Sequence, residues 1–147
     1  MSPNQSEHVD RRRFLATCAA CVAASTFGCA SLATRPVSAV GGVVRLARDE
    51  YPELARVNGF AKILPDGERD PVIVLALGGD QYAVLSPICT HRGCTVDVQG
   101  EYLVCPCHGS TYDRGGAVVR GPAERPLRRF TSRVSGRFIE FSMREPA

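Results

Sequence analysis

The chain has 147 residues, 44% of them hydrophobic and 22% charged, which is one globular domain's worth of polypeptide and excludes a disordered or fibrous protein. Its net charge of +3 excludes the strongly basic balance of a nucleic-acid binder. Seven cysteines in so short a chain are unusual, and their positions carry most of the functional information.

Residues 1–39 read as an address ahead of the fold. Met1 to Asp10 is polar, Arg11-Arg12-Arg13 is a basic triplet, and Phe14 to Ala33 carries no charge. A basic block followed by an uncharged run and small residues is the layout of a bacterial export signal. Arg11-Arg12-Arg13-Phe14-Leu15 resembles the twin-arginine motif: Arg11 and Arg12 form the pair, Phe14 and Leu15 stand in the expected places, and Asp10 replaces the usual Ser or Thr. That resemblance implies export of folded cargo to the periplasm or the outer face of the membrane, which suits a protein that acquires a cofactor before leaving the cytoplasm. Three fates are open to the leader. Val37-Ser38-Ala39 is a small-residue cleavage site before Val40. The uncharged run at 14–33 is long enough to anchor across a bilayer core of about 30 Å. Lipid attachment at Cys29 is the third, although Thr26-Phe27-Gly28 lacks the lipobox leucine. Cys18 and Cys21 form a CxxC pair, but small residues in a leader account for it, which leaves four cysteines in the body.

From Val40 onward no sustained 3.6-residue period appears. Short β-rich runs bounded by turn residues recur instead: Val43 to Leu46, Gly59 to Leu64, Pro71 to Leu77, Gln81 to Leu85, Tyr102 to Val104, Ala117 to Arg120, Leu127 to Val134 and Arg137 to Ser142. Gly78-Gly79-Asp80 and Ser135-Gly136 join neighbouring runs as hairpin turns should. Strands at this spacing predict an all-β antiparallel sandwich or open barrel over 40–147, with one helical turn within Asp49 to Arg56. Thr34 to Val40 is expected to be a short link between the uncharged run and the first strand. Arg120, Arg125, Arg128, Arg129, Arg133 and Arg137 read as the solvated faces of two strands, with a docking patch the less favoured alternative, and no nucleic-acid partner is expected.

Two segments hold the chemistry: Cys89-Thr90-His91-Arg92-Gly93-Cys94 and Cys105-Pro106-Cys107-His108-Gly109-Ser110-Thr111-Tyr112. They contain the four body cysteines and every histidine except His8 of the leader. A zinc site takes four ligands and would strand two thiols. Two cysteines plus two histidines can instead close one cluster, with two cysteines left to crosslink the segments. Both segments resemble the Rieske 2Fe–2S motifs C-T-H-x-G-C and C-P-C-H-G-S, matched at every fixed position.

The resemblance implies a Rieske-type fold with a small two-loop cluster-binding subdomain at about 86–116 and one 2Fe–2S cluster. Cys89 and Cys105 would ligate one iron and His91 and His108 the other, while Cys94 and Cys107 would form a disulfide. The short stretch between His91 and Cys105 implies a reduced connecting loop or hairpin. Neutral imidazoles leave the oxidised site without net charge, so an added electron makes a monoanion; four thiolates would force a dianion to a trianion. Potentials of roughly −150 to +300 mV follow, against about −400 mV for plant-type centres. Ser110 and Tyr112 would donate hydroxyl hydrogen bonds that stabilise the reduced state. Gly93 and Gly109 would admit backbone amides close to the sulfurs, Pro106 would stiffen the second loop, and Pro122 would lie in a loop covering the cluster. A disulfide belongs to an oxidising compartment, in agreement with the leader. The family's members include the iron–sulfur subunit of quinol–cytochrome c oxidoreductases, so quinol, a c-type cytochrome and a membrane complex are the expected partners. A small subunit of an arsenite-oxidase-like periplasmic enzyme and a free soluble carrier are the alternatives.

Overall fold

A computed structural model describes residues 33–144. Arg11, Arg12, Phe14, Leu15, Cys18, Cys21 and Cys29, with the leader reading built on them, lie outside the described residues. Among the described residues thirteen strands form three sheets. No helix among them is long and apolar enough to cross a membrane. The first sheet joins β1 (Thr34–Val37), β4 (Phe60–Pro65), β5 (Val72–Gly78), β6 (Gln81–Leu85) and β11 (Arg129–Phe130) in that order. The second joins β12 (Ser132–Ser135), β13 (Phe138–Ser142), β3 (Val43–Ala47) and β2 (Ala39–Val40). The third, smaller sheet carries the Cys/His segments and joins β10 (Val118–Arg120), β9 (Thr111–Tyr112), β8 (Tyr102–Val104) and β7 (Asp97–Gln99). The arrangement is all-β and, β1 apart, its strand pairs are antiparallel.

β5 explains how the layers stack. Its run Val72-Ile73-Val74-Leu75-Ala76 is buried at every position, and because successive side chains of a strand point to opposite faces, it serves two cores. Val72, Val74 and Ala76 pack with Val44, Leu46, Ile63, Ile139 and Phe141 toward the second sheet. Ile73 and Leu75 pack with Leu85, Leu103, Tyr112, Cys89 and Cys105 under the third. β6 divides in the same way, Tyr82 and Val84 on one side and Ala83 and Leu85 on the other. Each fully buried Ile or Leu in this set contributes about 1.5–3 kcal/mol.

The fold begins earlier than the expected boundary at Val40. Thr34–Val37 is a strand, parallel to β4 with Pro36 opposite Leu64. Pro36 is tolerated there because β1 is the edge of its sheet, where a missing N–H costs little. Arg35 pins the strand: its Nη1 donates to the Glu50 carbonyl at 2.8 Å, its Nη2 lies 3.3 Å from Glu53 Oε1, and the guanidinium stacks over Tyr51. The single strand expected over Leu127 to Val134 is also two. Thr131 separates β11 from β12, and the chain changes sheet there, fastened by the Ser132 hydroxyl donating to the Tyr82 carbonyl at 3.1 Å. The expected helical turn is two 3-10 turns, Arg48–Glu50 and Pro52–Ala55. Gly59 follows them because a Cβ there would lie 1.8 Å from the Glu53 carbonyl oxygen.

The second sheet carries a cross-strand charge ladder. Glu140 on β13 stands opposite Arg133 of β12 and Arg45 of β3, with N–O distances of 2.8 Å to Arg133 Nη2 and 2.9 Å to Arg45 Nε. The Arg133 hydrogen bond outweighs the opposing effect of burial, and with the two guanidinium charges it holds the Glu140 carboxyl below the usual carboxylate range. A carboxylate whose folded pKa is depressed stabilises the fold above its unfolded pKa and loses that contribution as pH falls through the folded value. Glu140→Gln should therefore lower the melting temperature at neutral pH, and the difference from the unmodified protein should shrink on acidification below the ordinary carboxylate range; thermal melts across pH check this.

Candidate metal centre

The two segments form loops closed by the same hydrogen bonds. In the first, the Cys89 amide donates to the Cys94 carbonyl at 2.8 Å and the Gly93 amide to the Cys89 carbonyl at 2.9 Å. In the second, the Cys105 amide donates to the Ser110 carbonyl at 2.8 Å and the Gly109 amide to the Cys105 carbonyl at 3.0 Å. The turn needs a positive φ at its fifth residue, met by Gly93 at 77° and Gly109 at 74°. A Cβ at Gly93 would meet nothing within 4 Å, so backbone conformation, not crowding within the protein, is what requires glycine there. β7 and β8 form the hairpin that joins the loops, turning at Gly100, as the short spacing from His91 to Cys105 implied.

A disulfide between Cys94 and Cys107 ties the loops, with the two Cα atoms 6.5 Å apart. Cys89 and Cys105 remain free and buried. The Cys105 sulfur lies within 4.8 Å of both disulfide sulfurs, but those two have no lone thiolate to give a metal. His91 and His108 meet edge to face, ring centroids 4.9 Å apart; His91 is half-buried and His108 exposed. His91 Nδ1 is buried with no hydrogen-bond partner. A buried polar atom left unpaired costs about 1–3 kcal/mol, whereas a metal ion would satisfy it. Two adjacent thiols and two adjacent imidazoles thus fit a binuclear cluster of mixed ligation.

The hydroxyl groups expected to tune the site stand at it, both residues fully buried. Tyr112 lies with its hydroxyl 3.2 Å from Cys89 Sγ and accepts the Thr90 amide at 3.2 Å. The Thr90 hydroxyl donates to the Arg125 carbonyl at 2.6 Å, which leaves its oxygen only an acceptor toward Tyr112, 3.1 Å away. The single Tyr112 proton is therefore shared between Thr90 Oγ1 and Cys89 Sγ as possible acceptors, and a Cys89 thiolate would draw it to sulfur. Burial, then the Cys89 contact, raises the Tyr112 pKa, which keeps that proton in place. Burial works against ionisation of Cys89, but hydrogen bonds from Tyr112, the His91 backbone, Cys105 and Ser110 outweigh it and hold the thiol below its ordinary value. Ser110 Oγ accepts the Ala123 amide at 3.0 Å, so its own proton is free to donate toward sulfur. Tyr112→Phe removes one donor to a thiolate. If that bond is stronger by about 1 kcal/mol in the reduced state, the midpoint potential falls by about 40 mV; potentiometric titration reads it, and an unchanged potential removes Tyr112 from this role.

Pro122, following a cis peptide bond, lines a cleft with Thr90, His91, Glu124 and Arg125, so its loop does abut the imidazole edge. Pro106 is exposed between Cys105 and Cys107. Two supports escaped sequence reasoning. Asp113 Oδ1 accepts the Gly115 and Ala117 amides, both at 2.9 Å, and shapes the turn after β9. Arg114, buried beneath it, donates to the Gly100 carbonyl at 2.8 Å and the Gly59 carbonyl at 2.9 Å, clamping the small sheet to the start of β4. The Asp-Arg-Gly-Gly turn was a visible signal for the first, while nothing local marked the second.

Paired thiols beside paired imidazoles on a disulfide-locked double loop define an iron–sulfur electron-transfer domain. Residues 53–131 match the family described as the Rieske [2Fe-2S] domain. The chain belongs to that family, which implies one 2Fe–2S cluster. It is 39% identical over 94 residues to the cytochrome b6-f complex iron-sulfur subunit of Chlorobaculum thiosulfatiphilum, covering 57% of this chain and 51% of that protein. Against the same subunit of Parasynechococcus marenigrum the identity is 36% over 105 residues, covering 63% and 58%. The chain thus spans about half the length of the curated relatives it matches. Among solved structures, the cyanobacterial plasma membrane Rieske protein PetC3 of Synechocystis PCC 6803 superposes with a TM-score of 0.50 at 35% identity, over 56% of this chain and 85% of that one.

Proposed function

We propose that the protein is a one-electron carrier of the high-potential Rieske type, working on the outer side of a bacterial membrane as the iron–sulfur subunit of a quinol–cytochrome c oxidoreductase. Cys89 and Cys105 hold one iron, and His91 and His108 hold the other. The observation that carries the ligand set is the buried, unpartnered Nδ1 of His91 set against a second imidazole 4.9 Å away. When bound, the cluster supplies a site that takes and gives single electrons. The residues around it do the rest. Tyr112 and Ser110 direct protons at sulfur and favour the reduced state, and the disulfide keeps both loops in register. The exposed His108 presents an imidazole nitrogen to accept a quinol hydrogen bond, and the proton follows the electron.

The leader supports export by the twin-arginine route, and the Cys94–Cys107 disulfide independently supports an oxidising compartment. A second reading, a small fixed subunit of a periplasmic oxidase or dehydrogenase, is favoured by one observation. β1 is hydrogen-bonded into the base sheet from Thr34 onward, so residues 34–40 give the head no slack for a large swing. Isolation from membranes under mild detergent tests both readings. Copurifying cytochromes with quinol-driven, inhibitor-sensitive cluster reduction support the first. A copurifying molybdenum enzyme without quinol reactivity overturns it in favour of the second.

A further inference from the structure

Three exposed arginines belong to the segments that frame His91 and His108, and no carboxylate pairs with them among the described residues. Arg92 follows His91 directly and is exposed. Arg120 closes β10, its Nη2 lying 3.9 Å from where a Cβ on Gly109, the neighbour of His108, would stand. Arg125 lines the cleft of about 350 Å³ that also holds His91 and Pro122, with Glu124 its one carboxylate. No ion pair involves Arg92, Arg120 or Arg125 among the described residues. Five arginines elsewhere are ion-paired, Arg35 with Glu53, Arg45 and Arg133 with Glu140, Arg48 with Asp80 and Arg137 with Asp49; what sets Arg92, Arg120 and Arg125 apart is their place beside the two Cys/His loops. The arginines of the 120–137 run are all exposed, as expected of solvated faces, but they stand in different places. Arg133 and Arg137 lie paired on the second sheet and its hairpin, while Arg120 and Arg125 stand at the metal centre.

We propose that this cationic rim is the docking face for an acidic electron-transfer protein, which the three arginines steer onto the His91–His108 edge; the proposal rests on the cluster reading above. In the encounter one electron leaves the reduced cluster and converts a ferric haem of the partner to ferrous, with no bond made or broken. Complementary charge around a contact raises association rates by about 10- to 1,000-fold and makes them salt-dependent.

The test uses the cluster-loaded full chain with two probes, an acidic and a basic c-type cytochrome. Calorimetric binding of the oxidised protein and stopped-flow electron transfer are both followed at rising salt. The unmodified protein should bind and reduce the acidic probe faster, with the advantage vanishing at high salt. Replacing Arg92, Arg120 and Arg125 together by Gln should lower the rate with the acidic probe roughly tenfold and leave the basic probe equal or faster, while Arg133→Gln on β12 should change neither. Should Arg92→Gln lose its cluster, the Arg120→Gln/Arg125→Gln pair carries the same test. A drop in potential would alter both probes in the same direction, so opposed changes isolate steering. Equal rates with both probes, or a triple variant no slower than Arg133→Gln, overturn the proposal. Release of the variant from phosphatidylglycerol vesicles with unchanged cytochrome rates also overturns it and assigns the rim to a lipid surface. Absence of a cluster spectrum from the unmodified protein sinks the underlying reading, a result separable from these.

Discussion

His108→Ala should abolish the visible absorption and the rhombic EPR signal of the reduced cluster while leaving the polypeptide folded. The argument rests on what His108 does not do for the fold. Its side chain is exposed, makes no hydrogen bond among the described residues, and meets the ring of His91 edge to face. Truncating such a side chain ordinarily changes stability by no more than about 0.5 kcal/mol, so a large spectral loss has no structural explanation. The comparison must be made between cluster-free forms, since any bound group stabilises the state that binds it. Equal melting temperatures of the two cluster-free proteins, together with loss of iron and acid-labile sulfide in the variant, assign His108 as a ligand. An unaltered spectrum would refute the assignment. Two iron atoms held by two thiols and one imidazole would also leave a coordination position to water, and that cluster should decay rapidly where it forms at all.

Cys94→Ser should have the second largest effect, on the lifetime of the cluster more than on its assembly. Its disulfide spans a sequence separation of 13 residues, and closing such a loop is worth roughly 3 kcal/mol in the chain-entropy model, a large share of the 5–15 kcal/mol (roughly) that stabilises a typical domain. Local consequences add to this. Each loop keeps its own closing hydrogen bonds, so Cys89 with His91 and Cys105 with His108 stay correctly spaced within their loops. Only the distance between loops is freed. The expected outcome is a protein that acquires a Rieske spectrum, melts at a lower temperature, and loses its iron to a chelator much faster than the unmodified chain. Mild thiol reduction of the unmodified protein should reproduce the phenotype. A variant with unchanged melting and chelator resistance would show that the base sheet alone positions the loops.

The two Cys/His loops were legible because their chemistry is local. A loop that presents a sulfur and an imidazole to one cluster needs Cys-x-His or Cys-x-x-His and a glycine able to take a positive φ, and all of that lies within six residues. β5 and β6 were legible for a related reason, since a run such as Val72 to Leu77 has no other use than burial. The misses involve partners distant in sequence. β1 depends on β4, nearly thirty residues away. Asp97-Val98-Gln99 and Thr111-Tyr112 are too short and too polar for periodicity to speak, and they are strands because their neighbours are. The Arg114 clamp requires carbonyls of Gly59 and Gly100 that no local pattern links to it. The arginine run from Arg120 to Arg137 looked uniform along the chain, and only the change of sheet at Thr131 parts it into two environments.

β5 has one further consequence, for what holds the thiols in place. Its alternating side chains supply both cores, so a slip of its pairing by one residue would exchange Ile73 and Leu75 for the valines and misfit both layers at once. The platform beneath the thiols is therefore correct only when the whole base is correct. Residues that never approach Cys89 or Cys105, such as Val44 and Phe141 in the opposite core, thereby share in fixing where those two sulfurs stand.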